Sequence, residues 1–173
     1  MFSEKGPFER AMTLAALSGL KMALGPAFLT TARRQPSRGA WVAAAVGEML
    51  LDKVGIFPAR FRPVLLIPHT LAGAWVARES MREDGGDENQ AALMGAVVAA
   101  GVACVAPMVR IAASRVLGIP DILLGAGEDY LALRLGTEAM DLSMDRLPEI
   151  VKESFEEVGE RIMPALQSVG VGV

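Results

Sequence analysis

Seven charged side chains stand at intervals that allow chemistry inside an otherwise apolar chain: Lys21, Lys53 and Arg110 as bases, Glu48, Asp52, Glu128 and Asp129 as acids. Glu48 and Asp52 are four residues apart, so a helix sets both carboxylates on one face. Two acids that close repel when both are ionised, which raises one proton affinity and suits the pair to holding a proton or a cation. Glu128 and Asp129 are adjacent and therefore point in different directions. Lys21 is the single charge in the run from Ala11 to Ala32, an interior position that favours pairing with an acid. Lys53 is followed by Gly55 and Pro58, which end a helix, and so reads as a residue at a solvated boundary. His69, after Pro68, reads as a cap or interface residue. Mutual pairing of these groups is the structural alternative to ion handling, and three cations against four anions come close to balance.

The elements that position these groups are apolar helices. The chain has 173 residues, 52% hydrophobic and 21% charged, with a mean hydropathy of +0.37. That composition excludes a disordered chain. A net charge of -3 leaves no basic footprint for nucleic acid, and one His with one Cys builds neither a zinc site nor an internal disulfide. No cofactor motif, metal-ligand cluster, catalytic triad order or phosphate loop is visible. Ala91 to Val109 carries no charge at all, enough length for a helix across a bilayer core of ~30 Å. Ala11 to Ala32 is a second long run. Gly39 to Leu51, Pro63 to Ala77 and Ile122 to Leu133 are shorter. The expected fold is therefore all-α: a polytopic membrane protein of about five apolar helices, with the lipid bilayer as its first partner.

Small residues suggest how the helices meet. Ala15, Gly19, Ala23 and Ala27 recur every fourth residue in the first run, and Gly95, Ala99 and Ala103 do so in the fourth. In lipid, such stripes let two backbones approach closely. Pro26 and Pro107 fall late in these helices, where a missing N–H is expected to kink them. The segment from Pro26 to Arg34 can be laid on that from Pro107 to Arg115, and Gly47-Glu48 on Gly127-Glu128. Each half, about 11–78 and 91–136, then reads as a long helix, a basic exit and a short helix carrying Gly-Glu. With three spans in the first half, the repeat is inverted, an arrangement found in many secondary transporters. Gly85-Gly86 marks a flexible linker between the halves.

Ser18-Gly19-Leu20-Lys21 with Pro26, Glu48 followed by Leu51-Asp52-Lys53, Gly127-Glu128-Asp129, Arg62-Pro63 and Leu71-Ala72-Gly73-Ala74 together resemble the bacterial membrane proteins grouped as domain of unknown function 4126. The resemblance covers roughly residues 11 to 136. It implies a multi-pass protein of the bacterial cytoplasmic (inner) membrane, with Lys21, Glu48, Asp52, Lys53, Glu128 and Asp129 carried over, and it brings no substrate or reaction. The family continues after its Glu-Asp segment with another apolar helix, whereas this chain turns charged.

That charged tail divides the chain into a helical membrane domain, 1–140, and an acidic amphipathic tail, 141–173. Leu147, Ile150, Val151, Phe155, Val158, Ile162 and Leu166 recur at helical spacing among five glutamates. Anionic lipid repels such a helix, so residues 147–168 suit a partner protein, a second copy, or the chain's own surface. The spread of Lys and Arg places the C-terminus in the cytoplasm. Two functions fit: a proton or small-cation transporter or channel-like module lined by Lys21, Glu48, Asp52 and Glu128, and a non-transporting scaffold or accessory subunit whose charges only pair.

Overall fold

The computed structural model describes residues 6–53 and 63–168. Gly55, Pro58 and Arg62 lie outside them. Every regular element among the described residues is helical: α1 (Pro7–Leu20), α2 (Leu24–Ala32), α3 (Arg38–Lys53), α4 (Pro63–Glu83), α5 (Glu88–Leu117), α6 (Asp121–Ala139) and, after a short 3-10 turn, α7 (Leu147–Ser168). Among them, α5 alone is long and apolar enough to cross a membrane.

The first apolar run departs most from expectation. It is not one long helix but two, broken at Lys21, whose backbone is extended (φ -139°, ψ 120°). Pro26 is therefore not a late kink. It is the third residue of α2, where the amide it lacks has no partner within the helix in any case. α2 folds back along α1. A Cβ built on Gly25 lies 2.1 Å from Ser18 Oγ and 2.4 Å from the Leu14 carbonyl oxygen, so only glycine admits this approach. The open ends of the two helices reach the same end of α4: Arg10 pairs with Asp84 at 3.6 Å and Arg33 with Glu83 at 3.1 Å. At 1.5 Å per residue, α1 is about 21 Å long and α2 about 14 Å, a helical hairpin with Lys21 at its tip.

α4 and α5 pack antiparallel against this hairpin. Their turn is short and capped rather than a flexible linker. α4 runs through Glu83, Gly85 takes a left-handed φ of 71°, and Asp87 Oδ1 accepts from the amides of Asn89 and Gln90 at 3.0 Å each. The small residues lie where backbones nearly touch. A Cβ on Gly73 comes 2.8 Å from the Gly95 carbonyl oxygen, and one on Gly19 comes 2.5 Å from that of Ala99. Ala15 and Ala99 meet in the same contact, and Ala23 and Ala103 are buried as well. α4 begins at Pro63 and carries Pro68 within it, so His69 lies inside a helix and is not its cap. Pro107 likewise lies within a continuous α5, so the second half has no counterpart of the break at Lys21.

α7 lies along α3. Leu147, Ile150 and Val151 pack on the core formed by α2 and α3, and Ser154 is buried beside Gly39. The Arg38 guanidinium binds the Glu157 carboxylate, with Nε to Oε1 at 2.9 Å, and Arg161 Nη1 donates to the Pro36 carbonyl at 2.7 Å. Arg38 holds the Glu157 carboxyl below its ordinary proton affinity, chiefly through the hydrogen bond; burial opposes this, and the attraction of Arg38 and Arg161 adds to it. Phe155, Ile162 and Met163 remain exposed on α7.

Candidate functional site

Breaking a helix leaves backbone groups without partners, and the site is built from their replacement. In an unbroken helix the amides of Met22 and Ala23 would bond the carbonyls of Ser18 and Gly19. Here both donate to the Glu48 carboxylate, Met22 N to Oε1 at 2.9 Å and Ala23 N to Oε2 at 3.0 Å. A carboxylate from α3 thus caps the start of α2, where the helix dipole favours negative charge. The Ser18 carbonyl released by the break is met by His69 Nδ1 of α4 at 2.7 Å. A carbonyl only accepts, so Nδ1 carries the proton. His69 is buried and joins the site through α1's backbone rather than through any acid.

The extended backbone at the break turns the Lys21 side chain inward, where it is 1% exposed. Its Nζ lies 2.7 Å from Asp52 Oδ2 and 3.4 Å from Asp129 Oδ1. Each of those carboxylates is shared with a second cation. Asp52 also binds Arg110 Nη1 at 3.0 Å, and Asp129 also binds Lys53. Arg110 in turn forms a two-pronged pair with Asp121, Nε to Oδ1 and Nη2 to Oδ2 at 2.7 Å each, and has Glu128 Oε2 at 3.9 Å. The result is an alternating chain of charge: Lys53, Asp129, Lys21, Asp52, Arg110, then Asp121 and Glu128. It ties α3, α5 and α6 to the tip of the α1–α2 hairpin.

This geometry revises several expectations. Glu48 and Asp52 do lie on one face of α3, and each carboxylate has its own protein partners. One carboxylate is committed to backbone amides and the other to Lys21 and Arg110. Lys53 is not merely solvated at a boundary but bound to Asp129. Glu128 and Asp129 diverge, Asp129 inward to the two lysines and Glu128 toward Arg110 and an open groove between α5 and α6. Glu48 and Glu128 have different roles, so the two Gly-Glu segments are not geometric equivalents.

Two participants were missed in the sequence. Asp121, on the first turn of α6, was overlooked because it lies outside the apolar runs, although Pro120 before it marks a helix start. Gly25 precedes Pro26 four residues after Lys21, and Gly-Pro is a break signal hidden by the apolar character around it.

The arrangement is closed on one side and open on the other. Lys21 and Asp129 are buried among helices and Asp52 is half-buried beside them, while Arg110 and Glu128 line a groove of about 790 Å³ whose remaining walls are apolar. Exchange of partners between shared carboxylates is chemistry such a chain can perform, as is holding the hairpin in place. No known protein family, curated protein or solved structure matches the chain.

Proposed function

We propose that the chain is a helical membrane protein of the kind grouped as domain of unknown function 4126, and that its interior charge chain takes up and passes on a proton or small cation. The membrane part of this reading is supported by the outer surface. α5 has 30 residues, about 45 Å, and only 17% of its most apolar window is buried within the chain. The core helix of a water-soluble bundle hides its apolar face, whereas α5 exposes Leu93, Val97, Val105, Met108 and Val109. α6 adds Ile122, Leu123 and Leu131.

The observation that carries the ion-handling part is the sharing of Asp52 and Asp129. Lys21 touches both carboxylates, so when either one takes up a proton the ammonium keeps the other as its partner. A helix broken beside these groups, with its new N-terminus facing a carboxylate, resembles the discontinuous helices at transporter ion sites. The test is proton and cation flux in vesicles reconstituted with the purified chain. Asp129→Asn is expected to change flux while the protein retains its helicity. Equal flux in the parent protein, Asp129→Asn and empty vesicles refutes the reading.

The second reading is a non-transporting scaffold or accessory subunit, in which the charge chain only locks the hairpin. It is favoured by the commitment of Glu48 to two backbone amides, a structural use of an acid. The apolar start of α7 is already occupied by α2 and α3, which leaves Phe155, Ile162 and Met163 as its surface for a partner or a second copy. Deleting residues 147–173 separates the two readings. Loss of a co-purifying protein without loss of flux favours the scaffold.

A further inference from the structure

Charged side chains gather in two layers at opposite ends of the α4–α5 pair. At the turn end, Arg10 pairs with Asp84 at 3.6 Å and Arg33 with Glu83 at 3.1 Å, and Arg38, just after the α2–α3 turn, binds Glu157. The charges of α4 fall in its last turns, from Arg78 to Glu83. At the other end stand Arg110 and Asp121, 2.7 Å apart, with the rest of the charge chain beside them. Between Glu88 and Arg110, α5 carries no charged side chain, and at 1.5 Å per residue that interval is about 33 Å, against ~30 Å for a bilayer core. Over it the exposed side chains are apolar on both helices: Ile67 and Leu71 on α4, Val97, Val105 and Met108 on α5. On α6, the exposed pair Arg134 and Glu138 comes after Asp129, where that helix runs back toward the turn-end layer.

Exposure falls along the charge chain from that second end. The Asp121 side chain is 63% exposed and that of Lys53 30%, against 2% for Lys21. In the other direction the way is filled. From Lys21 back to Arg10 is about 16 Å along α1, and Leu14, Leu17, Leu29 and Val76 are fully buried over that stretch. Gly73 and Gly95 bring α4 and α5 into backbone contact there, which leaves no room for a file of water. We propose that the bilayer lies between these two layers, with the Asp84–Asp87 turn at one surface and the Arg110–Asp121 end at the other, so that the buried acids are reached from the Asp121 side only. The proposal rests on the membrane reading above and does not require that anything be transported.

The test labels single cysteines with a membrane-impermeant maleimide, in a Cys104→Ala background, on spheroplasts and on inverted membrane vesicles of a bacterial expression host. Arg82, Val97 and Val116 all have exposed side chains, so in water a cysteine at any of them reacts alike. Arg82→Cys is expected to label from one side only, and Val116→Cys and Lys53→Cys only from the other. Val97→Cys is expected to label at least tenfold more slowly than Val116→Cys in both preparations, until SDS is added. Asp121→Cys reads the same side as Lys53→Cys if the latter fails to fold. Three results overturn the proposal in a chain that resists carbonate extraction, and leave the membrane reading standing: Arg82→Cys and Val116→Cys labelled from the same side, Lys53→Cys labelled from the Arg82 side, or Val97→Cys labelled as fast as Val116→Cys. A chain that carbonate strips from the membrane defeats the membrane reading and this proposal with it.

Discussion

Removing the acids around Lys21 should cost more than removing Lys21 itself. At an effective dielectric constant of ~20, the gross attraction of Lys21 to Asp52 at 2.7 Å is about 6 kcal/mol, and to Asp129 at 3.4 Å about 5 kcal/mol. Burial of the ammonium offsets much of this, so the gross values do not rank the variants; the residual pairing does. In Lys21→Met, Asp52 keeps Arg110 and Asp129 keeps Lys53. Neither carboxylate is stranded, and the expected loss is about 1–2 kcal/mol, below the ~3–5 kcal/mol typical of a broken buried pair. The double variant Asp52→Asn/Asp129→Asn leaves an ammonium that is 1% exposed without either counter-ion, and its expected loss is about 4 kcal/mol or more. Adding Lys21→Met to that double variant should restore at least half of the loss, since no buried charge is then left alone. Chemical unfolding in detergent, followed by helicity, measures all three. A double variant no less stable than Lys21→Met, or a triple variant as unstable as the double, would mean that Lys21 is not held by these two acids.

Gly25→Ala places a methyl within 2.4 Å of the Leu14 carbonyl and should destabilise by about 1–3 kcal/mol. Gly101→Ala, in open space, should instead stabilise by about 0.5–1 kcal/mol, and thermal unfolding of the pair compares the two directly. Arg38 lowers the proton affinity of Glu157, so the pair's contribution is fully present above the ordinary glutamate value of 4.5 and is lost as pH falls through the lower folded value. Hydrogen exchange in α7 should therefore quicken on acidification in the parent protein, while Arg38→Gln should show fast exchange already at neutral pH. Val97→Lys puts a charge on the exposed apolar face of α5. On a water-facing surface it should change stability by no more than about 0.5 kcal/mol. At a bilayer centre it should cost roughly 2.5–3.5 kcal/mol and lower the membrane-bound fraction of a tagged chain.

Local chemistry in the sequence already determined the helical character, because apolar runs of this length and capping residues such as Asp87 act within a few neighbours. It also singled out the acids and bases, since an ionisable group in an apolar run needs a partner wherever the chain folds. The small residues at 19, 95 and 99 were legible for a similar reason: periodicity on one helix reveals a face before its neighbour is known. Tertiary structure alone decided who pairs with whom. The break at Lys21 is not a local preference of Leu20 to Ala23. It exists because Glu48, some 26 residues away, takes up two amides, because His69 takes up the freed carbonyl, and because Asp52 and Asp129 draw the ammonium inward. Those contacts join α3, α4 and α6 to the hairpin, and no spacing rule along one helix can report them.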